Sequence, residues 1–379
     1  MWAEVRAIDA SSVGEALSVS VRAGVPVLLW GSPGTGKTSV VRALGEALGW
    51  PTEVVIGSIR EPADFAGLPI VVDGAVQMAP PLWARRLAAA EQGLLFLDEL
   101  TTAPPAVQAA MLRVVLERVV GDLVLPDGIR VVAAANPPEE AAEGWELSPP
   151  LANRLVHLDW PVDAKAVSQG LVMGFAAPRP FDGASPTDAQ ALAGRAAVGA
   201  FLQVRPTLVL DVPSAAGQAS RGWPSPRSWE SVARLVAMCE AVGASEDART
   251  LLVLGAVGEG AGIEFLSWLA NMDLPDPEQV LADPDGFDLP ERSDRAFAVL
   301  TAVAAVAIAH GDAASWSAAW RVVARVADRA PDVAALAARA LAGARPAGAE
   351  LPAGLLQMAP VLRAAGLMRT EGHGDPRPD

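Results

Sequence analysis

A glycine-rich octet near the N-terminus carries the residue types that hold a phosphate chain. It reads Gly31-Ser32-Pro33-Gly34-Thr35-Gly36-Lys37-Thr38 and fits the spacing G-x-x-x-x-G-K-[ST]. The apolar run 25–30 before it predicts a buried parallel strand, and the pattern that begins at Ser39 predicts a helix. Glycines let backbone N–H groups curl around phosphate oxygens, and the helix adds the positive end of its dipole. This context favours a nucleoside triphosphate site over a glycine turn with a chance lysine.

Lys37 and Thr38 have different roles in such a loop. The lysine reaches the β- and γ-phosphates, and the threonine hydroxyl is a ligand of Mg²⁺, so we expect ATP and Mg²⁺ as cofactors. Lys37 and Lys165 are the only lysines in the sequence, so Lys37 has no neighbour able to replace it. The predicted nucleotide-binding residues are Gly31, Ser32, Pro33, Gly34, Thr35, Gly36, Lys37, Thr38, Ser39 and Asp98.

Two carboxylates follow a second apolar run. Asp98 and Glu99 come directly after 94–97, which places them at the carboxyl edge of a buried strand, where ligands bind in open parallel sheets. Asp98 would hold Mg²⁺ together with Thr38, and Glu99 would polarise the attacking water as a general base. The alternative is a strand that ends in a solvated acidic turn. The spacing after the phosphate loop favours the functional interpretation.

The first 160 residues alternate apolar strands with helical patterns, which predicts an α/β fold with a parallel sheet. Asp73-Gly74 lies between short apolar runs within 68–78 and predicts a hairpin, and 119–125 suggests a second one. Beyond residue 160, alanine-rich helical segments replace the strands. The five predicted strands of the sheet are 25–30, 52–56, 93–97, 129–135 and 155–158.

Composition limits the remaining function classes. The net charge of −15 disfavours a general nucleic-acid binder, which needs a broad positive surface. Cys239 is the single cysteine, which excludes an internal disulfide and a cysteine-based zinc site. The longest apolar runs, such as 302–309, are too short and too rich in alanine to span a bilayer, and the N-terminal residues lack a signal-peptide pattern. We therefore expect a cytoplasmic protein without a membrane partner.

Further segments resemble those of AAA+ ATPases, in particular the MoxR-like and dynein-related branch. The segment 133–137 is similar to sensor 1 of that family, with Asn136 at the end of the strand beside the acidic one. The segment 147–155 resembles the one that carries the arginine finger, which would be Arg154. Asn153 stands where many relatives have aspartate.

Two more features extend the resemblance to about residues 10–260. Ser225-Pro226-Arg227 resembles sensor 2 at the start of a lid helix, so Arg227 would be the sensor residue. The Asp73-Gly74 hairpin falls where the helix-2 insert of this branch lies, and Asp64-Phe65-Ala66-Gly67 precedes it much as in MoxR-like chains.

The resemblance implies a P-loop NTPase (AAA+) fold with a parallel five-stranded core, a helical lid and a C-terminal all-helical extension. The implied boundaries are 1–160 for the core with its insert at 68–78, 161–260 for the lid, 261–369 for the extension and 370–379 for a disordered tail.

The implied activity is ATP hydrolysis in an oligomeric ring, a hexamer in this family, coupled to remodelling or maturation of a partner protein. That partner is often one with a von Willebrand A domain. The catalytic residues would be Glu99, Asn136, which positions the water, Arg154, acting on a neighbouring subunit's nucleotide, and Arg227.

Simpler interpretations stay open for several of these residues. Asn136 could bond a turn backbone, and Arg154 could cap the turn before it. Arg113, Arg118 and Arg130 compete for the arginine-finger role. Two other functions also remain: a nucleic-acid-associated AAA+ motor or GTP-driven restriction subunit, and a nucleotide-gated scaffold. The acidic hairpin tips disfavour the motor, and the intact Glu99 disfavours the scaffold.

Overall fold

The computed structural model describes residues 10–137, 140, 144–214, 216–271, 275–286, 288, 290–327 and 329–350. The chain divides into two compact units. The N-terminal unit comprises residues 1–186 and 206–267, and the C-terminal unit comprises residues 187–205 and 268–379. The predicted tail at 370–379 lies outside the described residues.

The N-terminal unit is built on strands that alternate with helices. Its elements up to the last strand are α1 (Ala10–Ala23), β1 (Val27–Trp30), α2 (Lys37–Leu48), β2 (Thr52–Ile56), α3 (Ala63–Ala66), β3 (Leu68–Val72), β4 (Ala75–Ala79), α4 (Leu82–Ala88), β5 (Gln92–Asp98), α5 (Pro105–Glu117), β6 (Val119–Val120), β7 (Leu123–Val124), β8 (Gly128–Ala135), α6 (Pro149–Ala152) and β9 (Val156–Asp159).

Beyond β9, the elements of the described residues are helical. They are α7 (Ala164–Met173), α8 (Asp188–Val204), α9 (Ala216–Ala219), α10 (Pro226–Val242), α11 (Glu246–Val257), α12 (Glu259–Ala270), α13 (Pro277–Ala282), α14 (Ser293–His310), α15 (Ala313–Ala327) and α16 (Pro331–Gly343). The helix α8 belongs to the C-terminal unit, whereas α10 and α11 pack on α1 within the N-terminal unit. The boundaries predicted at residues 160 and 260 stay predictions.

Five strands form one sheet in the order β2-β5-β8-β1-β9, and every neighbouring pair is parallel. The predicted α/β fold with a five-stranded parallel core is confirmed. All four residues of β1 are buried, as is usual for a strand covered by helices on both faces. The strand begins at Val27, two residues later than predicted, because Pro26 has no N–H to give to the ladder. All five strands therefore present their carboxyl ends at one edge.

Both predicted hairpins are present. In the first, β3 pairs with β4 through the turn at Asp73-Gly74, where both residues have positive φ. Most of its side chains face solvent, and the exposed fraction is 63% for Leu68, 76% for Val71 and 69% for Val76. The second hairpin joins β6 to β7. The first hairpin is thus an apolar ribbon with an acidic tip.

The C-terminal unit is a helical bundle around α14, which packs on α8, α15 and α16. Trp316 and Trp320 of α15 are buried in its core, with ring centroids 5.8 Å apart. By length and composition alone, one helix of the described residues, α14, could cross a membrane. Its most apolar 18-residue window is 61% buried inside the protein. Core helices pass the same test, so this is weak evidence of a membrane span.

Candidate active site

The phosphate loop connects β1 to α2 and contains two residues with left-handed backbone. Gly34 has φ +78° and Gly36 has φ +91°, and a Cβ at either position would meet no atom within 4 Å. Conformation rather than space therefore requires glycine at both positions. The helix begins at Lys37, so its free N–H groups and its positive dipole end open into the loop. This arrangement suits a phosphate group.

The Lys37 ammonium group lies inside the loop, and only 7% of the residue is exposed. It donates to the carbonyl oxygens of Gly31 at 2.5 Å and Ser32 at 3.0 Å, and to Oδ1 of Asn136 at 3.2 Å. Burial lowers the pKa of Lys37, and the negative charges of Asp98 and Glu140 act against that effect. The predicted loop cation and the predicted sensor residue are therefore in direct contact.

Thr38 and Asp98 meet across the site. The Thr38 hydroxyl donates to Oδ2 of Asp98 at 2.8 Å, and Oδ1 of Asp98 accepts from the Glu99 N–H at 2.9 Å. Both residues are half-buried at the carboxyl edge. A hydroxyl and a carboxylate are hard oxygen ligands, and Mg²⁺ takes one or two of these from protein while it keeps water and phosphate ligands. The pair fits the predicted magnesium ligands.

Glu99 sits on a sharp turn directly after β5, with φ +57°. Positive φ is uncommon in residues other than glycine, and such positions cluster at functional sites. Its Oε2 accepts a hydrogen bond from the Ser58 hydroxyl. Ile56 of β2 lies opposite Asp98 of β5, so the residues that follow these two strands are neighbours. Sequence reasoning missed Ser58. The available signal was its position just after β2, the strand that neighbours the acidic strand β5.

Asn136 follows β8, the strand between β5 and β1. Its side-chain oxygen accepts from Lys37, and its backbone carbonyl accepts from the Thr101 hydroxyl at 3.2 Å. The side chain therefore points to the phosphate loop. The sensor role of Asn136 stays a prediction.

Arg154 lies in the turn between α6 and β9. Its guanidinium group donates to the carbonyl of Pro150, so it caps the preceding turn, as the simpler interpretation held. Burial, and then the nearby charge of Arg227, lower the pKa of Arg154. Arg227 is exposed in the first turn of α10. The structure thus brings the two predicted arginines close to each other.

Asn153 joins these two segments. Its Oδ1 accepts from the Ser225 hydroxyl at 2.6 Å, and its Nδ2 donates to the Trp223 carbonyl at 2.8 Å. Ser225 is also the N-cap of α10, in a capping box with Ser228. An amide supplies both a donor and an acceptor, which an ionised aspartate cannot do. The asparagine at this position fixes the turn of Arg154 to the helix of Arg227.

The three competing arginines are engaged elsewhere in the N-terminal unit. Arg113 pairs with Glu117 at 3.1 Å. Arg118 and Arg130 both donate to the carbonyl of Asp127, at 2.6 Å and 2.8 Å. These contacts hold the ends of α5 and β8, and the choice of Arg154 among the four stays a prediction.

A buried chain of hydrogen bonds runs under the site. The Trp30 indole N–H donates to Nδ1 of His157 at 2.9 Å, and Nε2 of His157 lies 2.9 Å from the Ala152 carbonyl. Since Nδ1 accepts, Nε2 carries the proton and donates. Burial lowers the pKa of His157 to about 4, so the ring is neutral at pH 7. The chain links the strand before the phosphate loop to the segment before Arg154.

The predicted residues therefore fall into two groups. Lys37, Thr38, Asp98, Glu99 and Asn136 share one edge of the sheet, while Arg154 and Arg227 neighbour each other. Among the predicted loop residues, Pro33, Gly34, Gly36 and Ser39 are exposed. A parallel sheet with a glycine loop after an inner strand, and with acidic residues after another, defines a P-loop nucleotide-binding domain.

Comparison with known proteins specifies the family. Residues 26–155, about a third of the chain, match the AAA domain of the dynein-related subfamily. Residues 26–155 therefore form an AAA domain of this subfamily, and such a domain implies nucleotide binding.

The protein is 31% identical over 121 residues to the "Pathogenicity locus probable regulatory protein WtsA" of Pantoea stewartii subsp. stewartii. That alignment covers 30% of this chain and 38% of the relative, so the chain spans well under half of the relative it matches.

Two solved structures are similar at lower identity. One is a "putative ATPase" from Cytophaga hutchinsonii, 16% identical with a TM-score of 0.40, over 68% of this chain and 82% of that one. The other is a full-length MCM homolog from Methanopyrus kandleri, 18% identical with a TM-score of 0.38, over 70% and 56%. Similarity at this level says nothing about substrate or partner.

Proposed function

We propose that the protein hydrolyses ATP to ADP and phosphate with Mg²⁺, and that it does so as a MoxR-like AAA+ ATPase. The observation that carries this proposal is the set of contacts at one sheet edge. Lys37 contacts Asn136, Thr38 contacts Asp98, and Glu99 follows Asp98 directly beside a loop with two left-handed glycines.

Each residue has one role in the proposed reaction. The loop amides and Lys37 hold the phosphates, with the ammonium leaving its carbonyl acceptors for phosphate oxygens. Thr38 and Asp98 would hold Mg²⁺, which when bound would neutralise charge on the phosphates. Glu99 takes the proton of the attacking water, and Asn136 orients that water. Ser58 holds the Glu99 carboxylate until the water is in place.

We further propose that Arg154 and Arg227 act together on the nucleotide of a neighbouring subunit in a ring, a hexamer. The nearby charge of Arg227, which adds to the lowering of the pKa of Arg154 by burial, supports this pairing. An arginine placed at the γ-phosphoryl group raises turnover about a thousandfold or more. In the resting state Arg154 donates to the Pro150 carbonyl, and on assembly the γ-phosphate of the neighbouring subunit would take the place of that carbonyl.

The proposed task of the ring is to remodel or mature a partner protein, including one with a von Willebrand A domain. The apolar β3–β4 hairpin supports this, since exposed Leu68, Val71 and Val76 suit contacts with polypeptide. Its acidic tip at Asp73 does not suit nucleic acid. We place the protein in the cytoplasm.

Mixing of inactive subunits tests the ring and the role of Arg154. Arg154→Ala and Lys37→Ala chains should each be inactive alone and should regain part of the ATPase activity when they assemble together. In a mixed ring, some intact Lys37 sites gain a neighbour that carries Arg154. Arg113→Ala is the matched control, because it removes a surface arginine paired with Glu117 and should stay active without mixing. No recovery, in rings shown to contain both chains, would mean that Arg154 acts in its own subunit or only caps its turn.

A further inference from the structure

Trp160, the residue after β9, makes three contacts with β1 and the phosphate loop. Its backbone N–H donates to the Trp30 carbonyl at 2.6 Å, which extends the β1–β9 pairing by one residue. Its indole N–H donates to the Thr35 carbonyl at 3.0 Å. A Cβ at Gly31 would lie 3.2 Å from the Trp160 carbonyl oxygen, so the first loop glycine packs tightly on this backbone. Pairing with β1 thus fixes the backbone of Trp160, and its indole hydrogen bond restrains the phosphate loop.

The indole hydrogen bond acts on a particular peptide group. The Thr35 carbonyl and the Gly36 N–H belong to one planar trans peptide and point in opposite directions. When Trp160 fixes the carbonyl on its own side, the Gly36 N–H is turned to the other side. Gly36 is the N-cap of α2, so this N–H is among the donors that the loop offers to a phosphate.

The hydrogen bond also lies where the loop is least restrained by its own residues. Thr35 stands between Gly34 and Gly36, and glycine loses more backbone freedom on ordering than any other residue. The Thr35 hydroxyl donates to the Ser32 carbonyl at 2.8 Å, but that bond closes the loop on itself. The Trp160 indole instead ties the loop to the sheet.

We propose that Trp160 is a positioning residue of the phosphate loop, which orients the Thr35–Gly36 peptide for a triphosphate chain. This inference rests on the proposed binding of a nucleotide at this loop. The residue acts on the phosphate part of the ligand through the backbone and not on the base.

Trp160→Phe tests the proposal because it removes the N–H and keeps an aromatic ring. A neutral hydrogen bond of ordinary net strength predicts a rise of about three- to tenfold in the Kd of Mg-ATP. The same factor should appear for inorganic triphosphate with Mg²⁺, measured by calorimetry. The kcat at saturating ATP should change by less than about twofold, since the hydrogen bond is lost equally from the ground state and the transition state.

Trp316→Phe is the matched control. Its indole N–H also donates to a backbone carbonyl, that of Leu341 at 2.8 Å, but in the C-terminal unit. This variant should leave both Kd values unchanged. If Trp160→Phe does not fold, replacement of Trp160 by 3-benzothienylalanine removes the N–H and keeps the shape of the indole, and the same rise in Kd is expected.

Three results would overturn the proposal. Unchanged Kd values for both ligands would make Trp160 a packing residue only. A higher Kd for Mg-ATP with an unchanged Kd for triphosphate would mean that Trp160 contacts the base. A fall in kcat with unchanged Kd would place its effect on the reaction.

Lys37→Ala separates this proposal from the proposed function. It should weaken the binding of both ligands by more than about tenfold. If Lys37→Ala binds both ligands as tightly as the parent does, the assignment of the nucleotide site is wrong. If it loses binding while Trp160→Phe does not, the nucleotide site stands and the role of Trp160 is wrong.

Discussion

Protonation of His157 should make the stability of the N-terminal unit depend on pH. In the folded protein its pKa is lowered from 6.5 to about 4, chiefly because burial removes the charged ring from water. The Ala152 carbonyl and Asp159 act against this effect, and Arg221 adds to it. The ring bridges Trp30 and Ala152 in its neutral form, and a second proton on Nδ1 would break the bond from Trp30.

The sign of the effect follows from proton binding in the two states. Above pH 6.5 the ring is neutral in both, and the stability is fully present. As the pH falls from 6.5 towards 4, the unfolded chain takes up the proton and the folded one does not, so the free energy of unfolding decreases. Each unit of pKa difference corresponds to 1.36 kcal/mol, so the complete loss is about 3 kcal/mol, of which about 2 kcal/mol falls between pH 7 and pH 5.

Urea denaturation at pH 7, 6 and 5, followed by circular dichroism, measures this loss. The two units are fitted as separate transitions where they unfold separately. His157→Gln is the comparison, because glutamine keeps one acceptor and one donor but does not titrate. Carboxylates contribute equally to both proteins, so the parent should lose about 2 kcal/mol more than the variant between pH 7 and pH 5. Equal losses would refute the lowered pKa and the neutral His157 link.

Two other residues give predictions of their own. Ser58→Ala releases the Glu99 carboxylate from a hydrogen bond and should raise basal ATP turnover about two- to tenfold, whereas Ser58→Thr should match the parent. A fall in turnover for Ser58→Ala would show that Ser58 aids the general base and does not restrain it. Burial raises the pKa of Cys239 to about 12, so native protein should alkylate at pH 8 about a thousandfold more slowly than unfolded chain. Equal alkylation rates would place Cys239 outside the core.

The sheet was predictable because its strands are short apolar runs separated by helical patterns. The contacts at its edge follow from parallel topology, since residues after neighbouring strands meet there. Asp98 and Glu99 were predicted at this edge from the strand pattern, and Asn136 was predicted from the family resemblance. In the structure Lys37 contacts Asn136 and Thr38 contacts Asp98.

The residues that sequence reasoning missed act through long-range contacts that no local pattern encodes. Ser58 reaches Glu99 from 41 positions away, and Trp160 reaches Thr35 from 125 positions away. His157 had no visible role as one of three scattered histidines, and only strand order places it beside Trp30. The grouping of α8 with the C-terminal helices also depends on tertiary packing, since helical periodicity does not name the partner of a helix.

The most direct test of the account is the effect of Glu99→Gln on binding and on turnover in the same preparation. Glutamine keeps the size of the side chain and its acceptor for Ser58 but cannot take a proton from water. The Kd of Mg-ATP by calorimetry should stay within about twofold of the parent, while steady-state phosphate release should drop about a hundredfold or more. Turnover equal to that of the parent would contradict the proposed mechanism, because Glu99 would then be an acidic residue at the end of a strand and nothing more.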